Sequence, residues 1–77
     1  MTARAILATY ATPTLAEVVA SFPRPSHGPV RIVRYRGRPW GGEFDVWLGS
    51  QRVYWGANTE GHARWLASNF APAARPA

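Results

Sequence analysis

The sequence contains no cysteine, no lysine and no long apolar run. Without cysteine the chain has no disulfide and no thiolate metal site, and nothing indicates an oxidising compartment. The longest apolar stretch, near Ala5 to Ala8, is too short to cross a bilayer, and the first residues lack the apolar run of a signal peptide. We therefore expect a cytoplasmic protein that does not associate with membranes.

Groups that carry catalysis are scarce as well. The chain has four acidic residues and two histidines, His27 and His62, and neither histidine stands at a metal-ligand spacing. The serines lack a nucleophile-elbow pattern, and no glycine-rich phosphate loop precedes a helix. We expect His27 to be solvated in a turn and His62 to cap or pack at a helix start. The sequence predicts a protein that is not an enzyme and that uses no cofactor or metal.

Positive charge, in contrast, is abundant. Nine arginines against four acids give a net charge of +5 and a pI near 11.2, which favours an acidic partner such as nucleic acid or an acidic protein face. The planar guanidinium suits bidentate contacts to phosphates and carboxylates. The alternative, which we favour for the composition itself, is that arginine without lysine reflects a GC-rich genome.

The length of 77 residues without a repeat predicts a single domain, 1–77. Such a short chain buries only about 60% of the surface that its unfolded form exposes. Four tryptophans, three tyrosines and three phenylalanines are expected to supply much of the core. Residues 71–77, "APAARPA", predict a flexible tail.

Two elements are predicted in the first third of the chain. Residues 4–11 are apolar on both faces and predict a short buried strand. Residues 13–22 predict a helix, with a capping box at Thr14 and Glu17 and a proline after the last residue. The apolar residues of this segment stand at i, i+3, i+4 and i+7: they are Leu15, Val18, Val19 and Phe22.

From Val30 the apolar period changes to two, which predicts strands over 30–36, 43–48 and 51–56. Gly49 and Ser50 offer a two-residue turn, with glycine first as a type II′ turn requires. The turn pairs the last two strands on two faces. The expected pairs are Leu48 with Gln51, Val46 with Val53 and Phe44 with Trp55 on the core face, and Trp47 with Arg52 and Asp45 with Tyr54 on the other.

The stretch "RIVRYRGRPWGGEFDVW" at 31–47 places four arginines ahead of two acids. If 37–42 form a loop, a simple register sets the arginines against the acids and leaves apolar residues on the core side. Such exposed ion pairs contribute about 0.2 to 1 kcal/mol and mainly specify the register. The expected pairs are Arg36 with Glu43, Arg34 with Asp45 and Ile32 with Trp47, with Val33 and Tyr35 across from Val46 and Phe44.

A last helix begins near Asn58 or Thr59, helped by Glu60 in its first turn. Its apolar face carries Ala63, Leu66, Ala67 and Phe70. The expected order is β-α-β-β-β-α, an α+β fold in which two helices cover one face of an antiparallel sheet of three to four strands.

The arginines without an evident acidic partner are the better candidates for contacts with another molecule. Arg52 beside Trp47 also fits a simple cation-π pair. Trp40 is either a recognition anchor or, as we favour, a lid on the sheet edge. The candidate partner-binding residues are Arg31, Arg38, Arg52, Arg24, Trp40 and Trp47.

A compact, basic chain with the strands "VRIVRYRGRP" and "GSQRVYWG" resembles the small phage-encoded anti-CRISPR proteins that inhibit type I surveillance complexes. The resemblance covers the whole chain and consists of its small size, single domain, basic charge and lack of enzyme motifs. Many anti-CRISPR proteins are acidic DNA mimics, and the +5 charge departs from that pattern. The resemblance implies a basic face that docks on a Cas7-type backbone subunit or on guide RNA, and so excludes target DNA.

Two other functions stay open. From Pro13 onward the expected order helix, three strands, helix is similar to the double-stranded-RNA-binding fold, which also occurs in small ribonuclease toxins, and implies direct DNA or RNA contact. The last helix lacks the lysine cluster of that fold, and a toxin would need His27 as its catalytic histidine. Alternatively, an exposed aromatic sheet face with Trp47 and Tyr54 joins a partner or a second copy. We expect a monomer.

Overall fold

The computed structural model describes residues 15–26 and 28–76, without the side chain of Leu15. The described residues form a four-stranded antiparallel sheet, one α-helix and one turn of 3-10 helix, so the α+β class is confirmed. The strands follow one another in the sheet in chain order. The elements are β1 (Leu15–Phe22), β2 (Val30–Arg36), β3 (Phe44–Leu48), β4 (Gln51–Ala57), α1 (Glu60–Ala67) and the 3-10 helix (Pro72–Ala74).

The first described element is a strand, so the predicted helix over 13–22 is wrong for this segment. β1 pairs with β2 and has a register shift between Val18 and Ala20. The extra residue of the bulge allows the neighbouring Val18 and Val19 both to be apolar. The apolar residues of the strand therefore have the same spacing as one face of a helix. A helix of this length is marginal by itself, whereas a strand gains a full ladder with β2. The predicted strand over 4–11 lies outside the described residues.

This strand also changes the expected order of elements. The described chain has four strands and then one helix, not a helix on each side of three strands. The similarity to the double-stranded-RNA-binding fold depended on the first helix and is therefore withdrawn. β2 spans the predicted 30–36, and β3 and β4 lie within one residue of their predicted bounds.

α1 lies on one face of the sheet, as predicted. Thr59 is its N-cap, and the Thr59 hydroxyl oxygen accepts a hydrogen bond from the His62 amide at 3.1 Å. Ala63 and Ala67 have no exposed surface. Their small side chains let the helix backbone approach the sheet closely.

The core lies between α1 and the sheet. Val30, Ile32 and Val46 are fully buried there, and partly buried Leu66 and Phe70 pack against the same cluster. Part of the segment predicted as a flexible tail also belongs to this core. Its buried members are Ala71 and Ala74.

The observed register of β2 against β3 differs from the predicted one by a single residue. Ile32 pairs with Val46 and Val33 with Asp45. A shift of one residue moves every side chain to the other face of the sheet. The predicted register is wrong because it would take fully buried Ile32 away from the helix.

The turn at Gly49 and Ser50 is confirmed, and Gly49 has the positive φ of 59° that a type II′ turn needs. Leu48 with Gln51 and Trp47 with Arg52 pair as predicted, but two bulges follow in β4. Tyr54 therefore faces the helix, where it packs on Phe70 with ring centroids 6.1 Å apart. The predicted pairs Val46 with Val53, Phe44 with Trp55 and Asp45 with Tyr54 are wrong; the observed pairs are Val46 with Tyr54 and Phe44 with Ala57.

Candidate binding surface

The face of the sheet opposite α1, here called the helix-free face, is organised around Asp45. This carboxylate has no exposed surface. Arg38 donates to both of its oxygens, at 3.1 Å from Nη1 and 2.7 Å from Nη2. Arg52 donates from Nη1 at 3.3 Å and the Gly56 amide at 2.9 Å. Four donors offset the cost of burying the charge.

Arg38 reaches Asp45 because the β2–β3 loop folds back over the sheet. The Nε and Nη2 atoms of Arg38 also donate to the Gly42 carbonyl, Nε at 2.9 Å. The Gly42 amide in turn donates to the Gly56 carbonyl at 3.1 Å, which fastens the loop to β4. A Cβ atom at Gly42 would lie 2.2 Å from the Ala57 carbonyl oxygen, so only glycine fits this contact.

Aromatic rings surround the two arginines held by Asp45. The Arg38 guanidinium carbon lies 4.5 Å from the Trp40 ring centroid and 5.0 Å from that of Tyr35. The guanidinium carbon of Arg52 lies 4.6 Å from the Trp55 centroid and 6.0 Å from that of Trp47. We call this group the arginine–aromatic surface: Tyr35, Arg38, Trp40, Trp47, Arg52 and Trp55.

Two tryptophans of this surface are open to solvent. Trp40 is 53% exposed and Trp55 is 66% exposed, and their ring centroids lie 6.4 Å apart with planes at 73°. A chain of this size has little apolar surface to spare, so two adjoining exposed indoles indicate a contact surface. The lid role favoured for Trp40 stays a prediction, since the ring also lies against the almost fully buried Arg38.

Arg31 extends the surface toward the other end of β2. It pairs with Trp47 across β2 and β3, and its Nη2 donates to the Gly49 carbonyl at 2.7 Å. Beside it, Val18 is 54% exposed. The Trp47 Nε1 is buried and has no hydrogen-bond partner among residues 15–26 and 28–76. The helix-free face has a net charge of +2, because it carries three arginines, Arg31, Arg38 and Arg52, and one acid, Asp45.

The ion pairs of Arg34 and Arg36 differ from the predicted ones. Arg34 donates to Glu43, with a shortest distance of 2.9 Å, and Arg36 donates to Glu17 at 3.0 Å. Arg34 therefore does not pair with Asp45, and Arg36 does not pair with Glu43. Hydrogen bonds from Arg34 and from the Gly37 amide lower the pKa of Glu43 below its ordinary value of 4.5.

The structure brings five of the six predicted partner-binding residues to the helix-free face. Their environments differ from those expected, because Arg38 and Arg52 both pair with Asp45 and Arg38 is only 4% exposed. Arg24 lies in the β1–β2 loop, and its Nη1 is buried without a hydrogen-bond partner in the described part of the chain.

Sequence reasoning missed Asp45 and Trp55 as members of this site. The predicted register gave Asp45 to Arg34, and regular alternation placed Trp55 in the core. Gly56 was the available signal, since an isolated glycine inside a strand pattern often marks a bulge. Gly56 lies at the second shift of β4 and its amide donates to Asp45, whereas Trp55 is turned to the helix-free face by the earlier shift between Arg52 and Tyr54, which no glycine marks.

His62 is the one histidine that the structure describes. It is an exposed residue of α1, and its ring stacks on that of Trp65, with centroids 6.3 Å apart. His27 lies outside the described residues.

Within residues 15–26 and 28–76, no three His, Cys, Asp or Glu side chains group closely enough to hold a metal ion. No helix in these ranges has the length and apolar character needed to cross a membrane. Comparisons of the chain with protein-family models, with curated proteins and with solved structures find no match.

Proposed function

We propose that this protein is a non-enzymatic binding protein that acts as a monomer in the cytoplasm and binds nucleic acid, alone or within a nucleoprotein complex. The observation that carries the proposal is the pair of exposed tryptophans set among arginines on one sheet face. Positive groups attract the phosphate backbone, and aromatic rings offer stacking surfaces to bases.

The arginines divide into two roles. Arg38 is almost fully buried and is committed to Asp45 and Gly42, so it positions the loop that carries Trp40. Arg52 gives Asp45 one hydrogen bond and keeps 34% of its side chain exposed. Arg31 has no ion pair with any residue of 15–26 or 28–76. Arg31 and Arg52 are therefore the proposed phosphate contacts.

Binding to a labelled single-stranded oligonucleotide, followed by fluorescence anisotropy, tests the proposal. Affinity should fall steeply as salt rises from about 50 mM to about 200 mM, because each neutralised phosphate releases counterions. Arg31→Glu should weaken binding strongly. Arg75→Glu makes the same charge change at an exposed site after the 3-10 helix and should have a much smaller effect. No binding at low salt, or equal losses in both variants, would refute the proposal.

Inhibition of a type I surveillance complex is the narrower form of this proposal. Tryptophan and arginine are also common anchors of protein interfaces, so the same surface suits a protein–RNA assembly as a target. Capture of a purified surveillance complex by the tagged protein, lost in Arg31→Glu and kept in Arg75→Glu, would support this form. Capture that Arg31→Glu leaves unchanged would exclude the helix-free face as its docking site.

A further inference from the structure

The geometry of Trp40 and Trp55 points to selection of single-stranded over double-stranded nucleic acid. We infer that the arginine–aromatic surface binds two neighbouring bases in a splayed conformation, one on each indole. This inference rests on the proposed function and adds the class of ligand. It depends on the arrangement of the Trp40 and Trp55 rings, whereas binding by charge alone would need no particular ring arrangement.

The two rings cannot both stack on neighbouring bases of a duplex. Their planes meet at 73°, and their centroids are 6.4 Å apart. Neighbouring bases in a duplex strand lie parallel and about 3.4 Å apart along the axis. A strand must therefore separate and rotate two bases to use both rings. Single strands do this readily, since their unpaired bases are free to splay out and stack on aromatic side chains.

The rings are held in place before any ligand arrives. Arg38 lies against Trp40 and Arg52 against Trp55, at 4.5 and 4.6 Å from the ring centroids. Both arginines are fixed by the same buried carboxylate, Asp45. Because the rings are already oriented, less conformational entropy is lost when bases bind. More than half of each tryptophan remains exposed for that contact.

The phosphate contacts lie beside the rings in a row across the sheet. Arg31 pairs with Trp47, and Trp47 pairs with Arg52, so the two arginines sit on strands flanking β3. Two strand spacings separate their backbones by about 10 Å. A bound strand that leaves Trp55 thus passes Arg52 and continues toward Arg31. Stacking tolerates every base, so we expect little sequence preference.

The test compares three ligands of about 12 nucleotides, a length within the site sizes of single-strand binding domains. They are a labelled single strand, the duplex of the same sequence, and an abasic strand with the same phosphates. We expect the single strand to bind at least about 10-fold more tightly than either of the others, since one stacked base accounts for a factor of about 5 to 150.

Variants locate the effect on the two rings. Trp40→Leu and Trp55→Leu should each weaken single-strand binding by about 5- to 150-fold and leave abasic binding unchanged. Trp65→Leu is the matched control, because Trp65 is 57% exposed on α1, away from the helix-free face. Trp55→Phe should keep most of the affinity, which separates ring stacking from a folding defect.

The outcomes separate this inference from the proposed function. Equal affinity for the single strand and the abasic strand would overturn base stacking while salt-dependent binding upheld the proposed function. Tighter binding of the duplex would likewise overturn the inference alone. Failure of every oligonucleotide to bind would overturn both. If a leucine variant fails to fold, the abasic comparison on the unmodified protein still decides the matter.

Discussion

At the scale of single residues, the buried side chain of Asp45 holds two arginines, Arg38 and Arg52, in place on the helix-free face. Its carboxylate accepts hydrogen bonds from Arg38, Arg52 and the Gly56 amide, and it has no exposed surface. Charges removed from water are tolerated only when they are paired and hydrogen-bonded. Loss of Asp45 therefore leaves the buried Arg38 without a counterion, and loss of Arg38 leaves the buried Asp45 with Arg52 alone, at 3.3 Å.

We predict that Asp45→Ala and Arg38→Ala each destabilise the fold by about 3 to 5 kcal/mol, the cost of breaking a buried ion pair. A domain of this length is expected to have only about 5 kcal/mol of stability in total, so both variants should be close to unfolding at room temperature. Chemical denaturation monitored by tryptophan fluorescence measures the effect. Arg36→Gln, which breaks the exposed pair with Glu17, is the control and should cost at most about 1 kcal/mol. Similar losses in all three variants would contradict the central role of Asp45.

Glu43 adds a pH-dependent contribution to stability. Its pKa in the folded protein is lowered from 4.5, first by the hydrogen bond from Arg34 and then by that from the Gly37 amide. A carboxyl with a lowered folded pKa stabilises the fold above its unfolded pKa and loses this contribution as pH falls through the folded pKa. The contribution of Glu43 is thus fully present at neutral pH, and it declines as pH falls from 4.5 through the lower pKa of the folded state.

We predict that Glu43→Gln reduces the free energy of unfolding at neutral pH, and that the difference from the unmodified protein shrinks as pH falls below 4.5. Denaturant titrations at a series of pH values measure it. The effect should be small because 35% of the Glu43 side chain is exposed. A difference that stays constant through the acid range would show that the charge of Glu43 does not cause it.

At the scale of elements, the bulges decide which residues reach the helix-free face. In β4 the register shifts turn Tyr54 toward α1 and Trp55 away from it. In β1 a shift lies between Val18 and Ala20. An extra residue in one strand reverses the alternation beyond it. The exposure of Trp55 on the helix-free face therefore depends on a local break in regular pairing.

The close approach of the β2–β3 loop to β4 gives a prediction at this scale. Gly42→Ala should destabilise the fold by about 3 kcal/mol, because the new Cβ would meet the Ala57 carbonyl oxygen at 2.2 Å and backbone would have to move. Gly61→Ala is the matched control, since nothing lies within 4 Å of a Cβ there and α1 should gain up to about 1 kcal/mol. Thermal unfolding followed by circular dichroism measures both. A harmless Gly42→Ala would show that the loop is not fixed against β4.

At the scale of the whole molecule, the positive charge is spread over both sides of the sheet. The acids Glu17, Glu43 and Asp45 take four of the arginines. Arg64 lies in α1, on the other side of the sheet from Trp40 and Trp55, with its guanidinium carbon 5.3 Å from the Phe22 ring centroid. Net charge alone therefore does not single out one face. The adjoining exposed rings of Trp40 and Trp55 do, and for this reason the abasic strand is the informative ligand.

Much of the secondary structure followed from local pattern. The strands β2, β3 and β4, the turn at Gly49 and the N-cap Thr59 were predicted near their observed places, because alternation, turn chemistry and capping act over a few residues. β1 was not predicted, because a bulged strand and a short amphipathic helix share one apolar spacing. Its pairing with β2 is a tertiary contact that no local pattern reports.

The sequence by itself determined that the protein is small and basic, without cysteine and with many aromatic residues, and that its positive groups are all arginines. Only the tertiary structure decided which arginines pair with which acids. A register shift of one residue and the return of the β2–β3 loop brought Asp45 to Arg38 and left Trp40 and Trp55 exposed. Register is set by burial of one whole face against α1, and that free energy is shared by residues far apart in the chain.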